Sequence, residues 1–468
     1  MHFCPSAVAE LFHRFRPCFT APGYRHFVEL VVSWLLVRRP HTISRMLQVS
    51  RRLGSARHHA SVYRFLSHGR WSLDALGRVV FELVRPWLSE TVLAVVDDTL
   101  CPKSGRQLFG TAIHLDPTQS RYNGTGRRVE TFLFGHNWVV VAVYLPCPWR
   151  PIRGWTIPVL FRLYRPPRRC PTASYRKRSE LARELITQLG SWLGPDARLH
   201  VTGDAAYCCK TVLRALSRQV GFVGPLPLEA ALYDTVSHLS PRGRRRRKGY
   251  RIANPLTRLA QRRGWNEVDL TLYGRSVRVQ LFSCVCIWYP SAGNQPVRIV
   301  ITRDRHSPGN GRAYVSTDPT LTPEQILATY ARRWQLEVCF REIKQDLGFE
   351  DPRNGWWRRP AGHRDNPRRP SRRAGDRGRK AVERTAPLAG LAYALTVRWY
   401  LEHGTPSLDI AAARRQAPWY RHKHTVSFAD MLTALRKAIW REQFRRMRLP
   451  AHLRQKARRL WEITRMAA

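Results

Sequence analysis

Four residues in the stretch YARRWQLEVCFREIKQDLG, Tyr330 to Gly348, stand out by type and spacing: Tyr330, Arg333, Glu337 and Lys344. The stretch reads as one helix, with no Pro, no Gly before Gly348 and good helix formers throughout. At roughly 100° per residue the four fall near 0°, 300°, 340° and 320°, on a face about 60° wide. An acid is thus flanked by two cations and a phenol. A solvated face with an Arg333–Glu337 pair is the plain alternative. Two further acids, Asp97 in VVDDT and Asp204 in VTGDAAY, each end an apolar run that reads as a strand. Either alone is commonly a turn residue or helix cap. Asp98 follows Asp97, and side-chain alternation lets only one of them face a given side. Cleavage of a phosphodiester bond requires an activated water or hydroxyl and a neutralised leaving oxygen. Two hard cations about 4 Å apart supply both. Asp97, Asp204 and Glu337, from three element ends, are a carboxylate set of the kind that holds Mg²⁺.

The elements that must position these acids alternate between strand and helix. Val92–Val96 reads as a buried strand, followed by Trp138–Leu145 and Pro158–Tyr164. A helix over Ser179–Leu193, a strand over Arg198–Thr202, a helix over Tyr207–Ser217 and a short strand over Val220–Val223 come next. This is an α/β pattern. Residues 225–310 read as a β-rich insertion with a basic run at Arg244–Lys248 and a hairpin about Gly274-Arg275. Residues 311–350 return to a strand, and Thr322-Pro323-Glu324 starts a helix. Residues 351–380 are rich in Arg, Pro and Gly, and no packed structure is expected there. Residues 381–468 read as basic amphipathic helices, resuming after Ser427 and after Pro450. Residues 1–88 read as short helices edged by Arg45, Arg51, Arg52, Arg57 and Arg64. They suit either a helix-turn-helix DNA-binding unit or a helical lid.

Composition narrows the partner. A formal charge of +47 over 468 residues implies a polyanion, and nucleic acid is the default. The ten Cys include no C-x-x-C pair, which argues against structural zinc and suits a reducing cytoplasm. The apolar run His26–Val37 contains Glu29 and is too short to span a bilayer, so a cytoplasmic protein without a membrane partner is expected.

The spacing Tyr330–Arg333–Glu337–Lys344 resembles the Y-R-E-K signature of bacterial insertion-sequence DDE transposases, which have an RNase H-like catalytic core. Asp97-Asp98-Thr99, with Lys103, Gly105 and Gly110 following, is similar to their D-x-T segment, with Asp97 as the first acid. Asp204 matches the second. The likeness covers about residues 90–350 and the helices after Lys380. It implies a mixed sheet flanked by helices (residues 89–224 and 311–350), interrupted by the β-rich insertion before the last catalytic helix, with helical regions at both ends. It implies that Asp97, Asp204 and Glu337 hold two Mg²⁺ ions, with Mn²⁺ as a substitute. Tyr330, Arg333 and Lys344 would contact phosphates of double-stranded DNA, at terminal inverted repeats and target, with the protein a homodimer on DNA. Trp334 and Trp265 are either base-stacking or core residues, and His136 either a proton shuttle and DNA contact or a cap and core residue. One departure is the Arg/Pro-rich insert before Lys380. It is compatible with a surface loop, a DNA-binding arm or a disrupted copy. A plain RNase H-like nuclease and a non-catalytic, domesticated DNA-binding derivative are the alternative functions.

Overall fold

The structure is a computed structural model. It describes residues 5–446 apart from 56, 105–107, 123–127, 151–152, 171–173, 236–247, 273–274, 305–309 and 356–371. Gly105, the run Arg244–Arg247, the hairpin turn at Gly274, the centre of the Arg/Pro-rich insert and the helices expected after Pro450 lie outside the described residues. The chain divides into two compact units. One comprises Met1–Leu83, Glu342–Gly355 and Asp376–Ala468, and the other Val84–Arg341 and Trp356–Gly375.

Helices α1 (Ser6–His13), α2 (Ala21–Leu36), α3 (Ile43–Arg52), α4 (His59–His68) and α5 (Leu73–Val84) come first. Strands β1 (Val92–Pro102), β2 (Ala112–Tyr122), β3 (Arg128–Pro146) and β4 (Gly154–Tyr164) precede α6 (Arg178–Gly190). Then follow β5 (Leu199–Gly203), α7 (Lys210–Leu213), β6 (Val220–Leu226), β7 (Leu232–Tyr233), β8 (Arg251–Ile252), α8 (Pro255–Leu259), β9 (Asn266–Leu272) and β10 (Arg275–Ile287). α9 (Tyr289–Ala292), β11 (Pro296–Arg303), β12 (Gly311–Ser316), α10 (Pro323–Ala331) and α11 (Trp334–Leu347) lead to α12 (Arg372–Thr385), α13 (Pro387–His403), α14 (Pro406–Gln416) and α15 (Phe428–Arg446).

The sheet-bearing unit is built on one mixed sheet ordered β2-β3-β1-β5-β6-β12-β11-β10-β7-β8, with β4 on β3 and β9 on β10. Within it, β4, β3 and β1 are antiparallel neighbours, and β1, β5 and β6 run parallel. That run of five, with helices beside it, is an RNase H-like arrangement. Val92–Val96 are all buried, as a central strand covered on both faces requires, and so are Trp138–Leu145 of β3.

Several elements differ from the reading of the sequence. β2, AIHLDPTQSRY, carries a Pro and a mixed polar pattern and gives no strand periodicity, yet it pairs with the first half of β3. The β-rich stretch after residue 225 continues the same sheet, because β12 lies between β6 and β11. The helix expected over Tyr207–Ser217 shrinks to α7, since Tyr207 N–H and Cys208 N–H turn back onto the Asp204 carbonyl. The stretch from Tyr330 is two helices. Arg332, Arg333, Gln335 and Leu336 donate their N–H groups to carbonyls three residues back, tightening the chain between α10 and α11. Tyr330 therefore ends one helix, and Glu337 and Lys344 lie on the next.

In the other unit, α13 is buried almost all round, as its apolar sequence PLAGLAYALTVRWY dictates. It packs against α2 and α15. The Trp34 indole donates to the Leu347 carbonyl at 2.8 Å, and Gly348, at φ +57°, stops α11. A side chain there would strike Asp351 and His41. Asp351 is held in place: its carboxylate accepts from the His41 N–H at 2.7 Å. Order therefore persists into the segment expected to be irregular, and α12 begins at Arg372, where no further Pro interrupts a run that includes Ala, Arg, Lys and Glu. Among the described residues no helix is long and apolar enough to cross a membrane.

Candidate active site

β1 and β5 pair in parallel register up to Val96 opposite Gly203, so Asp97 and Asp204 each follow that last pair. β1 does not end at Asp97 as the sequence suggested: it runs on to Pro102, because Asp97–Pro102 stay paired with β3 after β5 has stopped. Gly203 permits this approach: a Cβ there would lie 2.8 Å from the Val96 side chain. α10 starts with a capping box, Thr322 and Gln325 satisfying each other's backbone N–H groups, and its Ile326 and Leu327 pack into the core with Val223, Val300 and Tyr314. The first turn of α11 is fixed to β4 by the Thr156 hydroxyl, which donates to the Gln335 carbonyl at 3.0 Å. Between these two anchors stands Arg333.

Arg333 Nη1 lies 2.9 Å from Asp97 Oδ2, and its Nη2 lies 2.7 Å from Glu337 Oε1. One guanidinium thus joins the acid in the middle of β1 to the acid on α11. Asp97 Oδ1 accepts from the Asp98 N–H at 2.8 Å. The Asp97 carboxyl is nonetheless pushed up to about 7, first by burial and then by the charges of Asp204 and Asp98, which together outweigh Arg333. Burial also raises Asp204, with Asp98 adding to it. Asp204 Oδ1 accepts from the Ala206 N–H at 3.0 Å, so this residue makes the turn that a strand-terminal Asp commonly makes. Among the described residues no three His, Cys, Asp or Glu side chains are close enough to bind an ion as they stand. The donor chemistry fits a divalent cation even so. Asp97, Asp204 and Glu337 supply only carboxylate oxygens, the hard donors that Mg²⁺ and Mn²⁺ take.

Asp98 turns away from Asp97, as alternation requires. Its carboxylate is held by three donors: Tyr207 at 2.7 Å, Asn137 Nδ2 at 2.8 Å and Arg178 at 3.0 Å. Tyr207 comes from the loop just after Asp204 and Arg178 from the start of α6, so Asp98 ties the middle of β1 to the loop that follows β5 and to α6. These three partners are not visible as a group in the sequence, because they come from three distant elements. The only local signal is Tyr207, three residues after Asp204 in VTGDAAY.

The remaining sequence-predicted residues fall as follows. The Tyr330 ring is half-buried, packed 4.9 Å from the Tyr314 ring, with the Arg333 guanidinium 6.0 Å from its centre. Trp334 is 50 % exposed, which removes the core reading for it. The Trp265 indole donates to the Gln261 carbonyl at 2.9 Å and carries Arg303 over its face at 4.0 Å. Lys344, seven residues beyond Glu337 on α11, pairs with Glu350 at 3.0 Å. His136 is a core residue: burial lowers it to about 3, and its Nε2 bonds the Phe109 carbonyl at 2.8 Å.

Residues 14–282 match the family model for DDE superfamily endonucleases, which spans more than half of the chain. The chain belongs to the DDE superfamily of endonucleases. Residues 287–364 of this DDE endonuclease match a second model, the archaeal ISC1217 transposase family. That second match contains Tyr330, Arg333, Glu337 and Lys344. No curated protein matches the chain. Endonucleases of this superfamily use divalent metals and transposases act on DNA, in keeping with a strongly basic chain. In the helical unit of this DDE endonuclease, a groove of about 800 Å³ is lined by Arg38, Arg45, Arg52, Arg436 and Lys437, together with Trp440 and Phe444. No carboxylate is among its lining residues.

Proposed function

We propose that this DDE endonuclease is an insertion-sequence transposase of the Y-R-E-K type. It binds terminal repeats as a dimer, cleaves DNA there and joins the ends to target DNA. Asp97, Asp204 and Glu337 are the catalytic carboxylates and would hold two divalent ions, Mg²⁺ or Mn²⁺. When bound, these ions supply activation of the attacking oxygen and neutralisation of the leaving one. Arg333 and Lys344 clamp phosphates near the scissile bond, and the Tyr330 hydroxyl donates to one. Trp334, already exposed beside Arg333, stacks on a base displaced during strand transfer. The observation that carries this reading is the meeting of Asp97, on β1, with Glu337, on α11, across a single guanidinium, with Asp97 and Asp204 each directly following the last β1–β5 pair, Val96 and Gly203.

The test is nicking of a labelled duplex, cut from the DNA flanking the gene, in Mg²⁺. The native protein is expected to nick it, and Asp204→Ala and Glu337→Ala are expected to fall to background while still binding the duplex. Unchanged nicking by either variant refutes the catalytic assignment. Duplex binding without nicking by the native protein points instead to a non-catalytic derivative.

A further inference from the structure

Arg333 occupies a position that its proposed phosphate role does not explain. It stands at the tightened turn between α10 and α11, where bonds to carbonyls three residues back interrupt the α-helical ladder. Such turns inside a helix often mark hinges. Both terminal nitrogens are spent on carboxylates: Nη1 on Asp97 at 2.9 Å and Nη2 on Glu337 at 2.7 Å. The side chain is only 20 % exposed, so water screens these contacts weakly. A divalent cation taken up by Asp97 and Glu337 must displace or repel this guanidinium. A DNA phosphate that takes the guanidinium must draw it from the same two acids.

We propose that Arg333 is an electrostatic latch that couples metal binding to DNA binding. In the free protein it holds Asp97 and Glu337 and competes with divalent cations for them. When a phosphate of the DNA backbone accepts the guanidinium, the two acids are released to the metal. DNA and metal then strengthen each other's binding by the same factor, as linkage demands. The free protein is thereby kept in a metal-poor state. This inference rests on the metal-binding role proposed above for Asp97, Asp204 and Glu337. Asp98 stands outside the exchange, because its partners are Asn137, Arg178 and Tyr207, whereas both terminal nitrogens of Arg333 are on Asp97 and Glu337.

The experiment is a Mn²⁺ titration of the full-length protein without DNA, read from the spectroscopic signal of free Mn²⁺. It compares the native chain with Arg333→Gln, Arg333→Lys and Asp204→Asn. A latch predicts that Arg333→Gln binds Mn²⁺ about tenfold more tightly than the native chain, since a weakly screened like charge has gone. Arg333→Lys, a single point charge that cannot fork across two carboxylates, is expected to fall between the two and stands in if Arg333→Gln does not fold. Asp204→Asn is expected to bind weakly. A merely structural arginine predicts the reverse sign, because its loss would disorder the acids and weaken Mn²⁺ binding. Unchanged or weaker binding by the Arg333 variants, with Asp204→Asn weak, overturns the latch and leaves the metal site standing. Native-like binding by Asp204→Asn overturns both.

Discussion

Replacing Asp97 by Asn should make the metal-free protein more stable at neutral pH while abolishing cleavage. The carboxyl of Asp97 is raised from 3.8 to about 7 in the folded chain. Between those values the folded state keeps a proton that the unfolded state has lost. Unfolding then releases a proton, so the stability that Asp97 contributes when protonated is present below about pH 4 and is lost as pH rises toward 7. A shift of about 3 units corresponds to about 4 kcal/mol, at about 1.4 kcal/mol per unit, for a side chain with little exposure to solvent. Asn carries no titration. Its Oδ1 can keep the bond from the Asp98 N–H, and Arg333 can keep Glu337. The stability difference between Asp97→Asn and the native chain should therefore grow by up to about 4 kcal/mol from pH 4 to pH 8, in favour of the variant. Urea unfolding in chelator at a series of pH values measures it. If the proposed metal site holds, adding Mg²⁺ at pH 8 should stabilise the native chain and close much of the gap, because an ion on the folded carboxylates would not be matched on the variant's amide. A stability difference that stays flat across this pH range would refute the argument that burial and neighbouring acids raise the Asp97 carboxyl.

Two further outcomes test the supports of the site. Tyr207→Phe removes the 2.7 Å bond to Asp98 and leaves a buried carboxylate with two partners instead of three. It should cost about 1–3 kcal/mol in unfolding experiments and slow nicking through misplacement of Asp204, with the affinity for duplex unchanged; equal stability and rate would show that the Asp98 tie does not position β5. In the groove of the helical unit, Arg45→Glu and Arg52→Glu should weaken duplex binding and reduce the dependence of log affinity on log salt by about 1 each. Unchanged affinity and slope in a salt series would show that the groove does not hold DNA.

What the sequence made legible was local, and what it hid was pairing. The apolar run before Asp97 and the short one before Asp204 identify two buried strands, because a central strand must be apolar on both faces. Alternation alone separates Asp97 from Asp98, and the structure gives them different partners, Arg333 for the first and Tyr207, Asn137 and Arg178 for the second. Strand order could not be read in the same way. Nothing local in RAYVST tells that β12 sits between β6 and β11 and so carries the β-rich stretch into the same sheet.

The break between α10 and α11 shows why local rules stop at the site. No Pro or Gly marks it, and helix propensity runs through it unbroken. The chain tightens at the point where Arg333 reaches Asp97, 236 residues away in sequence, with Tyr330 packed on Tyr314 on one side and Gln335 tied to Thr156 on the other. A continuous helix would put Tyr330, Arg333 and Glu337 on one face, as the helical wheel suggests. The tightened turn instead lets Arg333 answer to Asp97 and Glu337 together while Tyr330 stays with the core. The departure from local preference falls at the residue that touches both Asp97 and Glu337, where a tertiary contact overrides helix propensity.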